Sequence, residues 1–177
     1  MTRRAAAWLG FAALAPAQQL KFAKRKTKER FQGAWTLVTY ERRTADGTVT
    51  YPMGQDPAGR LTYDGLGRMS AQLMRRNRPL FAGDRQRGTA DEIKAAFEGY
   101  IGYCGSYEVH EKEGFVIHHV EISSFPNWIG TDQKRFFEFS DERLILRVRN
   151  TLAGQDGENR LVWQRRFKCT AQHAAPS

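Results

Sequence analysis

Cysteine is scarce in this chain: two among 177 residues, Cys104 and Cys169, with no C-x-x-C spacing. That excludes a thiol redox motif and a zinc site of the finger or ribbon type, which need clustered thiolates. Nucleotide and hydrolase signatures are missing too. There is no G-x-G-x-x-G, no P-loop and no Ser-His-Asp pattern, so the sequence offers no familiar phosphate cradle and no activated serine. Long apolar runs are absent as well. The best candidate, Ala5 to about Leu14, is well short of the ~20 residues a membrane-spanning helix requires, so stable membrane insertion is not expected. No internal repeat and no second domain are visible.

Charge of one sign is also lacking in the body of the chain. Of the net +9, residues 21–30, "KFAKRKTKER", carry +5, and residues 31–177 carry only +2. Affinity for nucleic acid comes mostly from cations that neutralise phosphates, and a nearly neutral body does not supply them. The basic arm has one aromatic residue, Phe22, too few to stack bases. No nucleic-acid partner is expected, and residues 18–30 read as a flexible, solvated arm.

What is present begins with an export pattern. "MTRRAAAWLGFAALAPAQQ" runs from Arg3-Arg4 through an apolar stretch to Ala15-Pro16-Ala17, the order of a secretory signal with an A-x-A cleavage site. Residues 1–17 are expected to be removed and the mature protein to be periplasmic or secreted; the paired arginines leave the twin-arginine route open beside the general one. Export would permit a Cys104–Cys169 bridge, although sequence gives no distance between them. Residues 171–177 read as a disordered tail after one domain spanning 31–170.

Within that domain, short runs of two-residue alternation recur between Gly, Asp and Asn turns. "AWTLVTYERR" places Trp35, Leu37 and Thr39 on one face and turns at residues 45–47 into "TVTYP". "GRLTYDGLGRMSAQLM", "SYEVHEKEGFVIHHVEISS" and "TDQKRFFEFSDERLILRVRN" repeat the device, with turns at Asp64-Gly65, Glu113-Gly114 and Ser140-Asp141 before a last strand, "LVWQRRFK". These are hairpin signals. One segment differs: Thr89 with Glu92 forms a capping box, and Ile93, Ala96, Phe97, Tyr100 and Ile101 follow at helical spacing. Many local strands and one helix imply an all-β antiparallel sandwich or barrel, and the barrel is favoured because closure leaves no edges, with the helix covering an end.

"FQGAWTLVTYERR", "GTVTYPMGQDPAGRLTYDGLGRMSAQLMRRNRPLF" and "HHVEISSFPNWIGTDQKRFFEF" together resemble the bacterial and fungal lipocalin-like domain family over roughly residues 31–168. Gly33-Ala34-Trp35 is similar to the G-x-W of lipocalins, in which a late-strand arginine lies over the tryptophan; Arg165 is the matching candidate. The resemblance implies a barrel with an internal cavity for a small, largely apolar molecule. It implies no single chemistry, because a fold hosts a site without dictating it.

The histidines test that implication. In a strand over 115–123, Phe115, Ile117, His119, Glu121 and Ser123 face one way and Val116, His118, Val120 and Ile122 the other. The expectation is that His119 and Glu121 point inward, as polar handles of a ligand or as an acid–base pair. No metal is expected, because His110, His119 and Glu121 form no zinc or iron spacing. Other expected wall residues are Trp35, Leu37, Tyr63, Met69, Tyr103, Tyr107, Trp128 and Phe136, aromatic or adaptable groups that suit an apolar pocket. Two functions follow: an exported carrier of a small hydrophobic molecule with no cofactor, or a cofactor-free isomerase or cyclase acting on a polyketide- or terpenoid-like substrate through His119 and Glu121.

Overall fold

Alternating strands joined by turns that demand left-handed backbone produce hairpin after hairpin. In the computed structural model, which describes residues 26–152 and 154–166, these are β1 (Gly33–Thr44), β2 (Val49–Thr50), β3 (Pro57–Tyr63), β4 (Arg68–Arg75), β5 (Tyr100–His110), β6 (Phe115–Ser123), β7 (Asp132–Ser140), β8 (Arg143–Leu152) and β9 (Gln155–Arg166). The pairings are antiparallel in the order β2-β1-β3-β4-β5-β6-β7-β8-β9, and β1 also pairs with β9 from Ala34↔Arg166 to Thr44↔Gly157. Eight strands thus close on themselves, and β2 is a two-residue addition beside β1. The antiparallel barrel expected from the alternation is the fold observed. The segments read as an export signal and a tail, most of the basic arm, and Cys169 lie outside the described residues.

Two bulges decide which side chains reach the interior. On β1 the register with β9 shifts between Leu37 and Thr39. Trp35 and Leu37 point inward, and beyond the shift Tyr40 and Arg42 take over, so Thr39 leaves the face it was expected to share. Between β5 and β6, Cys104 pairs with Ile122 while Gly105 pairs with Val120, leaving Glu121 as the extra residue. A Cβ on Gly105 would sit 1.9 Å from the His119 carbonyl oxygen, so only glycine allows the two backbones to approach this closely.

The helices sit at opposite ends. A short helix, α1 (Thr27–Phe31), drops Phe31 into the base of the barrel; the arm assigned to residues 18–30 therefore already contributes to the fold at its end. The helix α2 (Ala90–Glu98) has the expected capping box, with Thr89 Oγ1 accepting from the Glu92 amide at 3.3 Å and Glu92 Oε2 accepting from the Thr89 amide at 2.7 Å. It stops at Gly99, and Tyr100 and Ile101 begin β5 instead of extending the helical stripe. Ile93 and Phe97 remain half exposed, so α2 lies along the rim of the open end and does not plug it.

Candidate functional site

The base is sealed by a stack built on Trp35. Trp35 Nε1–H donates to the Phe31 carbonyl at 2.7 Å. The Arg165 guanidinium lies 4.5 Å from the Trp35 ring centroid, and it donates through Nη1 to the Gln32 carbonyl at 2.7 Å and through Nη2 to that of Arg30. Gly33 has φ 122 and leaves room for that guanidinium, since a Cβ there would lie 2.9 Å from Arg165 Nη1. Phe31 meets Tyr63, Phe137 and Phe139 edge-on at 5.0–5.2 Å between centroids, a favourable quadrupole arrangement. The Gly33-Ala34-Trp35 and Arg165 pairing implied by the resemblance is present in full.

Above this plug lies a polar layer around His118, which is fully buried. Its Nε2 is 2.7 Å from the Tyr63 hydroxyl and its Nδ1 is 3.0 Å from the Tyr103 hydroxyl. A neutral imidazole has one donor and one acceptor nitrogen, so one phenol accepts from the ring and the other donates to it. Burial, reinforced by the Arg135 and His119 charges, holds the imidazole well below its ordinary range, while burial pushes the Tyr63 phenol well above its own. The imidazole and the Tyr63 phenol are therefore uncharged near neutral pH. Tyr107 completes the layer, its hydroxyl donating to the Asp64 carbonyl at 3.0 Å and its ring 4.7 Å from that of Tyr63.

The upper half of the barrel is hollow. A cavity of about 700 Å³ is walled by Leu61, Ala71, Leu73, Ile101, Tyr103, Leu146, Leu161 and Trp163, with Tyr40, Gln133, Arg135 and Asn159 as polar groups and Met53, Glu98, Trp128 and Arg149 toward the rim. Arg42, 4% exposed, stands behind the rim with acceptors at Asn150 Oδ1 (2.6 Å) and Oδ1 of Asn159 (3.4 Å), and at the carbonyls of Gln155 (2.7 Å) and Asn150 (3.4 Å). Among the described residues Arg135, 9% exposed, donates only to the Lys134 carbonyl at 3.1 Å and Gln133 Oε1 at 3.4 Å. Trp163 Nε1–H is buried without a hydrogen-bond partner among the described residues.

The structure reverses the face assigned to the histidine strand. His119 and Glu121 are outside: His119 Nδ1 is 2.6 Å from Asp132 Oδ1, and Glu121 pairs with Arg68 at 3.0 Å in solvent. Val116, His118 and Val120 are the buried set. Phe115 and Ile117 carry more apolar area than Val116 and Val120, so hydrophobicity alone would favour the other face; the register with β5 sets the parity, and His118 enters because both its nitrogens find hydroxyl partners. An acid–base mechanism through His119 and Glu121 consequently has no access to a molecule in the cavity.

Of the other expected wall residues, Tyr103 and Trp128 border the cavity. Trp35, Leu37, Tyr63, Met69 and Tyr107 are buried in the packed core beneath it. Phe136 is on the outer surface, half exposed, against Phe115. Sequence reading missed Tyr40, Arg135, Trp163 and His118 as interior groups. For Arg135 a signal existed: Phe137 and Phe139 share its parity on β7, and both pack on the core. Cys104 is partly buried on β5 and forms no disulfide among the described residues. Among the described residues no group of three or more His, Cys, Asp and Glu side chains could hold a metal, and no helix is long and apolar enough to cross a membrane.

An eight-stranded antiparallel barrel, sealed by a G-x-W stack and hollow above it, is a barrel of the lipocalin type. Residues 32–166 match the lipocalin-like domain, and the chain belongs to that family. Over 106 residues, 55% of this chain and 96% of the relative, it is 35% identical to the 4'-hydroxy-3'-methoxypropiophenone carrier protein of Aspergillus oryzae.

Proposed function

We propose that this protein is an exported carrier that holds a small, largely apolar molecule inside the barrel. The observation that carries the reading is the cavity of about 700 Å³ with apolar walls and a few polar groups at set positions, within the range of roughly 300–1,000 Å³ usual for small-molecule sites. The base stack supports it, because the floor is closed by its own contacts and does not draw on the hollow half. The relative's name refers to a carrier of a small aromatic ketone with a phenol, a molecule of a size and polarity this cavity accommodates. Export rests on the layout of residues 1–17.

The test is native mass spectrometry of the protein purified from the exported fraction of its own source, without detergent. The expected result is a chain that begins near residue 18 and carries a discrete extra mass extractable into organic solvent. A chain retaining its first residues in the cytosolic fraction would overturn the export part. Failure of any apolar compound from that source's extract to bind the purified protein would overturn the carrier part.

A further inference from the structure

Resting on the cavity-binding reading, we propose that Arg135 anchors an anionic oxygen group, so that the preferred occupant is a small apolar acid: an aromatic or acyl body ending in a carboxylate or an equivalent planar oxyanion. The contrast with Arg42 carries the argument. Both guanidiniums are buried on inward strand positions, and Arg42 is met by four acceptors, among them the amide oxygens of Asn150 and Asn159. Arg135 is met by a carbonyl of its own neighbour and one long contact to Gln133. Among the described residues no carboxylate lies within ion-pair distance of it.

A buried cation with spare donors is costly unless something satisfies it. The other charged groups of the wall are engaged elsewhere or exposed at the rim, Arg149 Nε lying 3.4 Å from Glu158 Oε2. His118 is neutral, Lys134 Nζ turns outward over the Phe115 ring at 3.8 Å, and Arg75 Nε donates to the Pro52 carbonyl. The carboxylate at the rim, Glu98, sits 3.8 Å from Lys94 Nζ. A wall that offers donors in excess of acceptors selects a ligand that brings acceptors, and a fork of guanidinium N–H groups fits a planar oxyanion through two parallel bonds.

The experiment compares acids with their uncharged isosteres on the mature protein at pH 7.5. The pairs are 1-naphthoic acid with 1-naphthamide and decanoic acid with decanamide, titrated by calorimetry against the parent, Arg135→Gln and Arg135→Lys. The parent is expected to favour the acid of at least one pair by roughly 10- to 100-fold, as charge-assisted hydrogen bonds imply. Arg135→Gln should erase that preference while amide binding persists, which also shows the variant is folded. Arg135→Lys should restore part of it. Equal binding of acid and amide by the parent, or a preference that survives Arg135→Gln, overturns the anchor and leaves the carrier intact. Failure of all four compounds to bind the parent overturns the preference for a simple apolar acid if a compound of the source's extract still binds, and overturns the carrier reading itself if none does.

Discussion

The barrel contains two tryptophan and arginine sets, one at each level, and they are treated differently. At the base, Trp35 Nε1–H has its carbonyl acceptor and Arg165 spans two more while stacking on the ring. In the cavity, Trp163 Nε1–H has no acceptor among the described residues and Arg135 has little beyond its own strand. Similar chemistry, held by several contacts in one place and by few in the other, separates the part of the molecule that holds the fold from the part that faces the cavity. Unsatisfied buried donors lower stability, and proteins retain such costs where function requires them.

The largest way to break this contrast is at the base. Trp35→Ala should cost about 3–5 kcal/mol, the range for removing a buried aromatic, read as a fall in the urea midpoint at unchanged slope. The arginines then sharpen it, because they should respond with opposite sign. Arg165→Met removes two charge-assisted bonds and a stacked cation and should destabilise by about 2–3 kcal/mol. Arg135→Met removes a poorly compensated buried charge and should leave stability unchanged or raise it by about 1 kcal/mol. A matching loss from both substitutions would mean that Arg135 is structural after all.

Between floor and cavity, the His118 layer should show itself through pH. The imidazole is held well below its ordinary value of 6.5 by burial first and by Arg135 and His119 second. The unfolded chain therefore binds a proton that the folded chain refuses. Stability from this group is complete above pH 6.5 and is lost as pH falls below it, by about 1.4 kcal/mol per pH unit until the folded imidazole itself titrates. His118→Phe should cost about 1–2 kcal/mol at pH 8, from the two hydroxyls left without their partner, and should flatten the slope between pH 6.5 and 5. An unchanged slope would place the acid sensitivity elsewhere. In the cavity wall itself, Ala71 is 1% exposed and packed in the core cluster, so Ala71→Phe should cost about 1–3 kcal/mol through overpacking. Affinity for a cavity ligand should drop at least about tenfold.

How far the sequence reveals this arrangement depends on what each level of structure needs. Turns at Gly67, Gly114 and Asp141 require left-handed backbone, and the residue types there announce it; the capping box at Thr89 is equally local. The base stack is legible because Gly33, Trp35 and Arg165 form a recognisable set. Cavity contents are less so, because facing is a matter of parity and parity is reset by bulges. The shift after Leu37 swaps Thr39 for Tyr40 inside, and the shift at Gly105 turns Ile122 out. The first has no signature in composition, and the second has only a lone glycine within a strand pattern. The β7 strand shows the other limit. Its run "KRFFEF" places an arginine inward and Phe136 outward, against hydropathy, because two phenylalanines of the arginine's parity are wanted at the base.

The smallest expected effects belong to the residues that looked most chemical in the sequence. His119 and Glu121 spend their polarity on Asp132 and Arg68 at the surface, where ion pairs contribute little. His119→Ala and Glu121→Gln should each shift stability by less than about half a kcal/mol, and neither should alter the affinity of a cavity-bound acid or amide. The comparison is informative because His118, one residue away, differs from His119 only in the face it occupies. If His119→Ala weakened ligand binding as much as Arg135→Gln, the outer face of β6 would have to take part in the site, and the division between a sealed base and an unsatisfied cavity would no longer describe where this barrel does its work.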